Sequence, residues 1–347
     1  MQTKTEKKNI RQLSLSELEE YFETLGQKKF RAKQVYEWLW QKHAHVFEDM
    51  TNLSKELRQQ LTENFSLPAL KVDATQYSAD GTVKSRFRTT DNHAVEGVLI
   101  PTDERKTACV SSQIGCSLSC KFCATGYMAR QRNLDFDEIY DEVVLINEQS
   151  EKVYQKKLTN IVFMGMGEPF LNYPNFIKAV RLLVEGVGFP ESRMTVSTSG
   201  IIPRIHDFGA EPVRPKLAIS LNASNDEVRG SIMPINKKWN LEMLMQAARD
   251  FPLRNRERIT FEYVLLAGVN DSPAHAREVI ELLRGIRCKV NLIALNPGPG
   301  IQFGTPAEQS VQTFKDLLAK AGIPAFVRRP RGRDIYAACG QLKRTVA

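Results

Sequence analysis

From about residue 105 onward, short apolar segments of β-type composition alternate with segments of helical periodicity. The β-type segments read TACVSS, LTNIVFM, RMTVSTS, KLAISL, ITFEYVLL, KVNLIAL and IPAFVRR, and the helical ones include residues 135–149 and 310–322. Parallel neighbouring strands need a crossover connection, which is usually a helix. The alternation therefore predicts an α/β fold whose parallel strands close into a full or partial barrel.

The chain before this region has a different pattern. Ser14 and Glu17 form a capping box, apolar residues follow at helical spacing, and Gly26 is a stop signal. Two more helices are predicted, around residues 32–40 and after Ser54. We therefore divide the chain into a small helical domain (1–66), a short β extension (67–101) with an ADG turn, and a core (102–347). The helical domain is equally consistent with RNA docking and with a packed cap.

The apolar segments are too short to cross a membrane. Segments such as IVFMGMG at 161–167 fall well below the roughly 18–20 residues that a bilayer requires. The polar N-terminus MQTKTEKKNIRQ has no apolar signal region. We therefore expect a cytoplasmic protein, and in that reducing compartment six cysteines do not form a disulfide framework. Clustered cysteines are then metal-binding or catalytic.

Basic residues exceed acidic ones by 48 to 40, so the formal net charge is +8. This excess weakly favours a polyanionic partner such as a nucleic acid. Arginines concentrate at 253–258 and at 327–334. Each cluster is either a solvated face or a rim that contacts phosphates.

Three cysteines lie within eight residues, as Cys116, Cys120 and Cys123 with the spacing C-x3-C-x2-C. Zinc sites use paired cysteine knuckles, and the sequence has no second pair, although a structural metal site stays an alternative. Three thiolates can bind three irons of a four-iron cluster and leave the fourth iron open. The amino and carboxylate groups of S-adenosylmethionine can chelate such an open iron.

Several motifs resemble those of a known family. The three-cysteine loop after a first β segment resembles the signature of radical S-adenosylmethionine (radical SAM) enzymes, and MGMGEP at 164–169 is similar to their glycine–glutamate element. Further motifs resemble the RlmN/Cfr family of radical SAM RNA methyltransferases, and its RlmN type most of all. These are STSGIIP, IMPINKKW, EYVLLAGVNDS, NLIALNP and RRPRGRDIYAACGQL.

The resemblance implies a partial (β/α)6 radical SAM barrel with a [4Fe-4S] cluster on Cys116, Cys120 and Cys123. It implies methylation of adenine carbon 2 in the peptidyl transferase centre of 23S rRNA and in tRNA, 3′ of the anticodon. The Cfr type instead methylates carbon 8 of the ribosomal adenine. An external one-electron reductant is required, and we expect a monomer that binds no membrane.

The resemblance also implies the roles of three residues. Cys339 accepts a methyl group from one S-adenosylmethionine, and a 5′-deoxyadenosyl radical from a second molecule removes hydrogen from that methyl. The methylene radical adds to the electron-poor carbon 2, which cannot attack a sulfonium itself. Glu96 matches the proposed proton acceptor, and Cys109 attacks Cys339 to form a disulfide and release the product. Cys288 is interpreted as an ordinary buried residue.

Contacts with S-adenosylmethionine are implied for seven residues, of which Leu221 contributes only its main chain. They are Gly167, Glu168, Ser197, Ser220, Leu221, Asn222 and Asn296. Many relatives have histidine where this chain has Asn222, so a side-chain contact from Asn222 is an open question.

Two other classes of function stay open at this point. A non-catalytic iron–sulfur or zinc RNA-binding protein gives no role to Glu168 or Cys339, and an assay for 5′-deoxyadenosine would distinguish it. A radical activase of a protein partner would yield no RNA product, and the basic clusters favour RNA.

Overall fold

The computed structural model of the protein describes residues 7–298 and 300–343. Its first elements are a helical unit closed by a two-residue parallel ladder. They are β1 (Lys8–Asn9), α1 (Leu15–Thr24), α2 (Phe30–Trp40), α3 (Lys55–Asn64) and β2 (Phe65–Ser66). Ser14 and Glu17 form the predicted capping box, and Ser54 caps α3 by accepting a hydrogen bond from the N–H of Leu57. Gly26 follows α1 in the left-handed region that favours glycine, with φ of 66°.

The predicted β extension forms three antiparallel strands. They are β3 (Lys71–Tyr77), β4 (Val83–Arg88) and β5 (Ala94–Pro101). Strand β5 pairs in turn with β6 (Lys106–Val110), also antiparallel. The extension is therefore continuous with the central sheet.

The parallel part of the sheet begins at β6. A short antiparallel pair follows it, β7 (Gln113–Ile114) with β8 (Arg132–Asn133). The remaining strands are β9 (Asn160–Phe163), β10 (Met194–Thr198), β11 (Lys216–Ser220), β12 (Ile259–Leu265), β13 (Cys288–Ala294) and β14 (Ala325–Val327). The order is β14-β13-β12-β11-β10-β9-β6-β5-β4-β3, so β3 and β14 are the two edges of an open sheet. The predicted α/β barrel is confirmed, and β14, which lies in the β-type segment IPAFVRR, is a short seventh parallel strand beyond the six of a (β/α)6 barrel.

Helices connect the parallel strands. They are α4 (Phe136–Tyr154), α5 (Tyr173–Glu185), α6 (Ile202–Ala210), α7 (Asp226–Ile232), α8 (Leu241–Asp250), α9 (Pro273–Leu282) and α10 (Glu308–Lys320). The predicted helix at 135–149 continues to Tyr154, where its C-cap Gln155 adopts a left-handed conformation. The apolar faces of helices and strands form one large core.

The N-terminal helical unit is held against α4 by a buried polar contact. Arg11 is 5% exposed and forms a two-pronged ion pair with Asp141, with Nη1 2.7 Å from Oδ2. The guanidinium of Arg11 also lies 4.8 Å from the centre of the Trp40 ring, which packs edge-on against Tyr140. The unit therefore shares buried polar and aromatic contacts with the barrel.

The segment after β14 crosses to the turn between β3 and β4. Asp334 accepts hydrogen bonds from the hydroxyl of Ser78 (2.6 Å) and the N–H of Ala79 (3.1 Å). In return, Asp80 accepts one from the N–H of Gly332 at 3.0 Å. These contacts hold the second arginine cluster, residues 327–334, against the turn between β3 and β4. The chain then continues to Cys339.

None of the helices formed by the described residues is both long and apolar enough to cross a membrane.

Candidate active site

The three clustered cysteines line one small cavity at the ends of the parallel strands. This cysteine cavity has a volume of about 130 Å³, and Gly126, Gly165 and Gly167 contribute to its wall. A Cβ atom on Gly126 would lie 2.5 Å from the carbonyl oxygen of Cys120, so the loop folds this tightly only with glycine there. The N–H of Ala124 donates to the carbonyl of Gly340 at 2.7 Å, which joins the loop to the C-terminal segment.

The three cysteines are arranged around a shared cavity. Among the residues described, no three His, Cys, Asp or Glu side chains converge as a site for one metal ion. In a four-iron cluster each thiolate binds a different iron, so the sulfurs must surround a volume instead of converging on a point. Cys116, Cys120 and Cys123 meet that condition because they line a shared cavity.

Burial controls the protonation of these thiols. It raises the pKa of Cys116 to about 12, and it raises the pKa of Cys120 and of Cys123 as well. Buried thiols of this kind hold their protons unless a positive charge stabilises the thiolates. Ferric and ferrous ions supply such charge.

A second cavity, of about 160 Å³, adjoins the first. We call it the serine cavity because Ser197, Ser199 and Ser220 line it. Cys123, Gly167 and other residues line both cavities. A ligand in the serine cavity would therefore be next to a cluster in the cysteine cavity.

Glu168 lines the serine cavity and is almost fully buried. Its carboxylate accepts hydrogen bonds from the N–H groups of Phe170 (3.1 Å) and Ser199 (2.7 Å). Burial raises the pKa of Glu168, against the opposing effect of these bonds. Gly167 before it has φ of 92°, and a Cβ there would lie 2.5 Å from the Cβ of Gln113. The glycine thus lets the main chain bring Glu168 to the cavity wall.

The other sequence-predicted contact residues fall into two groups. Ser197 and Ser220 face each other with their hydroxyl oxygens 3.4 Å apart, and both line the serine cavity, as does Asn296. Leu221 is fully buried and lines neither the cysteine cavity nor the serine cavity. Its N–H donates a hydrogen bond to the carbonyl of Glu262. The structure thus brings most, but not all, of the predicted contacts to one cavity.

Asn222 lines the serine and cysteine cavities, but its side chain is engaged within the fold. Its Oδ1 accepts a hydrogen bond from the N–H of Val264 at 2.8 Å, and its Nδ2 lies 3.3 Å from the sulfur of Met233. The residue has a positive φ of 57°, which Asn tolerates better than most residues. Its amide therefore stabilises the junction of β11 and β12.

A third cavity, of about 380 Å³, lies on the other side of Cys339. We call it the arginine cavity because Arg105, Arg328, Arg329 and Arg331 line it. Cys339 is exposed and lines both the serine and the arginine cavities. Its carbonyl accepts a hydrogen bond from the amide of Asn296 at 3.3 Å.

Cys109 is buried in the wall of the arginine cavity. Burial, and secondly the nearby Cys339, raises the pKa of its thiol. All six cysteines of the chain lie in the described part, and none of them is in a disulfide. The two lone cysteines singled out from the sequence thus border one cavity with free thiols.

Glu96 lies on the same face of the sheet as Cys109. Val98 is the antiparallel partner of Cys109, and Glu96 is two residues from Val98, so their side chains point the same way. The Glu96 carboxylate is fully buried, 3.7 Å from the ammonium of Lys84. It accepts a hydrogen bond from the N–H of Lys343 at 3.0 Å. Glu96 lines none of the three cavities, because the C-terminal segment covers it.

Sequence reasoning missed Ser199, Arg229 and Glu262 of this site, and it placed Arg328 only in the second arginine cluster. Ser199 lines the serine cavity and bonds to Glu168. The buried Arg229 donates to the carbonyls of Ser199 (2.8 Å) and Ser220 (3.2 Å) and so ties two strand ends together. Glu262 and Arg328 line the serine cavity with 3.6 Å between carboxylate and guanidinium. A charged residue in the middle of ITFEYVLL was a signal that could have revealed Glu262.

The two arginine clusters have different surroundings. Arg254 of the first cluster pairs with Glu191 at 2.6 Å, and this contact lies at the entry to β12, away from the cavities. Arg328 of the second cluster lines both the serine and the arginine cavities. The electrostatic effect of the nearby Cys339 is the main cause that raises the pKa of Arg328.

Comparison with known proteins places these features in a family. A family model for the ribosomal RNA large subunit methyltransferase N-terminal domain matches residues 8–67. A model for the radical SAM superfamily matches residues 110–283, about half of the chain.

Relatives match over nearly the whole length. The "Probable dual-specificity RNA methyltransferase RlmN" of Koribacter versatilis is 52% identical, over 93% of this chain and 98% of the relative. The dual-specificity RNA methyltransferase RlmN of Syntrophus aciditrophicus is 45% identical, over 96% of each chain. The crystal structure of a radical SAM methyltransferase from Sphaerobacter thermophilus superimposes with a TM-score of 0.91 at 44% identity, covering 97% of this chain and 99% of that one. The chain therefore belongs to the RlmN family of radical SAM RNA methyltransferases.

Proposed function

We propose that the protein methylates carbon 2 of adenine in 23S rRNA and in tRNA, through a methylated cysteine. The observation that carries this proposal is the position of Cys339, which lines both the serine and the arginine cavities. A side chain there can receive a group from a ligand in one cavity and pass it to a substrate in the other. The names of the RlmN relatives, which are dual-specificity RNA methyltransferases, support RNA as that substrate.

The cysteine and serine cavities would hold the two cofactors. Cys116, Cys120 and Cys123 would hold a [4Fe-4S] cluster through three of its irons and leave the fourth iron for another ligand. When bound, the cluster supplies the electron that cleaves S-adenosylmethionine into methionine and a 5′-deoxyadenosyl radical. Glu168 would pair with the ammonium group of S-adenosylmethionine.

The other proposed contacts with S-adenosylmethionine come either from side chains or from the main chain. Ser197, Ser220 and Asn296 would offer side chains, and Ser199 joins them because it lines the same cavity. Asn222 would offer its main chain, since its amide is held by Val264 and Met233. The same limit applies to Leu221, whose side chain is buried.

Cys339 would act as the methyl carrier. As a thiolate it attacks the methyl carbon of the sulfonium, forming a sulfur–carbon bond while S-adenosylhomocysteine leaves. The neighbouring guanidinium of Arg328 would stabilise that thiolate. The methyl group on Cys339 then gives a hydrogen atom to the 5′-deoxyadenosyl radical of a second S-adenosylmethionine, and the resulting methylene radical adds to carbon 2 of an adenine in the arginine cavity.

Glu96 and Cys109 would resolve the resulting protein–RNA bond. Glu96 would take the proton from carbon 2 while the adduct radical gives up one electron, for which the oxidised cluster would be the acceptor; the C-terminal segment at Lys343 must first move away from the Glu96 carboxylate. The Cys109 thiolate then attacks the sulfur of Cys339, which forms the disulfide and breaks the sulfur–carbon bond; the released methylene carbon takes up a proton and becomes the methyl group of the product. An external reductant restores both thiols.

RNA would approach from the side of the arginine cavity. Its arginines suit phosphate contacts around an adenine that has been turned out of its helix. The N-terminal unit would extend this surface, and its match to a ribosomal RNA methyltransferase domain supports the assignment. We expect a monomer, with the reductant as its second partner.

The proposal is tested with anaerobically reconstituted protein and unmethylated RNA. A 23S rRNA fragment and a tRNA are incubated with S-adenosylmethionine, digested to nucleosides and compared by liquid chromatography and mass spectrometry with 2-methyladenosine and 8-methyladenosine. We expect 2-methyladenosine from both RNAs, together with 5′-deoxyadenosine. Formation of 8-methyladenosine would assign the Cfr type of chemistry, and the absence of any methylated nucleoside would contradict the proposal.

A further inference from the structure

Glu262 is a charged residue in the centre of an otherwise apolar strand, β12. It is 5% exposed and lines the serine cavity. In the sheet register it lies between Ser220 of β11 and Asn291 of β13. Aligned residues of neighbouring strands project to the same side of a sheet, so these three polar side chains form a row on one side of it, and Ser220 and Glu262 of this row line the serine cavity.

The two oxygens of Glu262 have different surroundings. Oε1 accepts a hydrogen bond from the amide of Asn291 at 2.8 Å. Oε2 is buried and accepts no hydrogen bond from any described residue. The guanidinium of Arg328 lies 3.6 Å from Oε2, which compensates its charge without forming a hydrogen bond. A buried acceptor without a hydrogen bond destabilises the fold unless a further donor binds to it.

The missing donor is better supplied by a neutral group than by a cation. Arg328 already balances the charge of Glu262, so a second cation would leave an excess of positive charge in a buried site. Glu168, the other buried carboxylate of this cavity, is bonded to main-chain N–H groups, which carry no formal charge, and suits an ammonium better. Hydroxyl groups fit Glu262, since Ser220 beside it can also donate and accept.

We propose that Glu262 binds the ribose hydroxyls of the nucleoside in the serine cavity, with Oε2 accepting a hydrogen bond from one of them. This inference rests on the proposed function, because the nucleoside is the adenosyl group of S-adenosylmethionine. A ribose within an RNA strand has its 3′ oxygen esterified and offers no free vicinal pair. The residue therefore favours the free cofactor over the RNA substrate as the occupant of this cavity.

The test is a binding measurement that involves no turnover. Isothermal titration of the anaerobically reconstituted full chain, without RNA, compares S-adenosylhomocysteine with its 2′-deoxy and 3′-deoxy forms. We expect the wild type to bind the parent compound about tenfold or more tightly than at least one deoxy form, because a buried charged acceptor loses its partner. Glu262→Ala should bind the parent compound about tenfold more weakly than the wild type does, and its affinities for the three compounds should agree within about twofold.

Two further variants control for folding. Glu262→Gln keeps an oxygen acceptor and should preserve part of the discrimination. Glu278→Gln should match the wild type, because its carboxylate bonds to Ser224 and Asn225 and does not line the serine cavity.

The proposal and the proposed function fail in different ways. If the wild type binds the parent and both deoxy forms equally well, the role of Glu262 is wrong while the cofactor site stands. The same conclusion follows if Glu262→Ala keeps the full discrimination. If the wild type binds no S-adenosylhomocysteine at all, both the cofactor site and the role of Glu262 are overturned.

Discussion

The amide of Asn296, at the end of β13, donates a hydrogen bond over 3.3 Å to the main-chain carbonyl of Cys339. Asn296 was predicted as a cofactor contact and Cys339 as the methyl carrier, and they are 43 positions apart in the sequence. The bond places the proposed methyl carrier at the boundary of the serine and arginine cavities. In the proposed mechanism, Asn296 therefore couples the cofactor site to the position of the carrier.

The first prediction concerns the cysteine cavity. Alanine at Cys116, Cys120 or Cys123 should abolish the visible absorbance of the reconstituted cluster, because each thiolate binds its own iron. Cys288→Ala is the matched control, since Cys288 is also buried but lies at the start of β13, outside the cavity. Iron content and absorbance spectra are the measurements. Full absorbance with full activity after loss of any of the first three would rule out the radical mechanism.

The second prediction concerns the attachment of the N-terminal unit. Arg11→Met should lower the free energy of unfolding by about 3–5 kcal/mol, because it leaves the buried carboxylate of Asp141 without its partner. Lys29→Ala, which breaks an exposed ion pair with Glu23, should have no measurable effect. Urea unfolding followed by circular dichroism compares the two. Equal midpoints for both variants would show that the buried pair does not stabilise the docked unit.

The periodicity of the sequence predicted the strands and helices well, and local chemistry explains why. The capping box at Ser14 and the β-type segments act within a few residues. The antiparallel join between β5 and β6 depends on pairing between separate segments, which no local pattern reveals. For the same reason, the fastening of Gly332 to Asp80, 252 positions away, could not be predicted.

The residues of the candidate site also differ in how far the sequence alone could predict them. The cysteine loop and Glu168 were predicted because their motifs are contiguous. Arg328 was placed only in a cluster that is either a solvated face or a phosphate-contacting rim, although it lines two cavities and lies 3.6 Å from Glu262. The side-chain role of Asn222 was an open question, and its hydrogen bond to Val264 depends on a neighbouring strand. Such assignments need the register of the sheet.

The third prediction concerns RNA binding. Charge reversal at the exposed Arg329 and Arg333, or at the exposed Lys28 and Lys33 of the N-terminal unit, should weaken RNA binding. Each phosphate contact that is lost should reduce the slope of log K against log salt by about 0.7–0.9. Fluorescence anisotropy with a labelled tRNA at several salt concentrations measures both quantities.

The control for the third prediction uses basic residues on the outer helices of the barrel, outside the proposed RNA surface. Charge reversal at Lys320, at the end of α10, and at Arg284, after α9, changes the net charge equally but not the proposed surface. If the control and the test variants alter the salt slope to the same extent, only net charge matters and the proposed surface is wrong.

The fourth prediction concerns the pH dependence of product release. Burial raises the pKa of the Cys109 thiol, so it holds its proton near neutral pH, and the attacking thiolate becomes more abundant as the pH rises. Decay of the protein–RNA adduct should therefore accelerate between about pH 7 and pH 9, approaching about tenfold per unit. Rapid-quench gels follow the adduct, and methylation of Cys339 by mass spectrometry is the reference step. A rate of decay that is flat over this range would contradict a protonated resolving thiol.

The most direct test of the account separates the two lone cysteines, because Cys339 carries the methyl group and Cys109 only releases the product. Reconstituted Cys109→Ala and Cys339→Ala are incubated with RNA and S-adenosylmethionine and analysed by denaturing electrophoresis. Cys109→Ala should give a covalent protein–RNA species that ribonuclease removes, whereas Cys339→Ala should keep its cluster and give none. If Cys109→Ala yields no adduct, despite methylated Cys339 and formation of 5′-deoxyadenosine, the proposed division of roles is wrong.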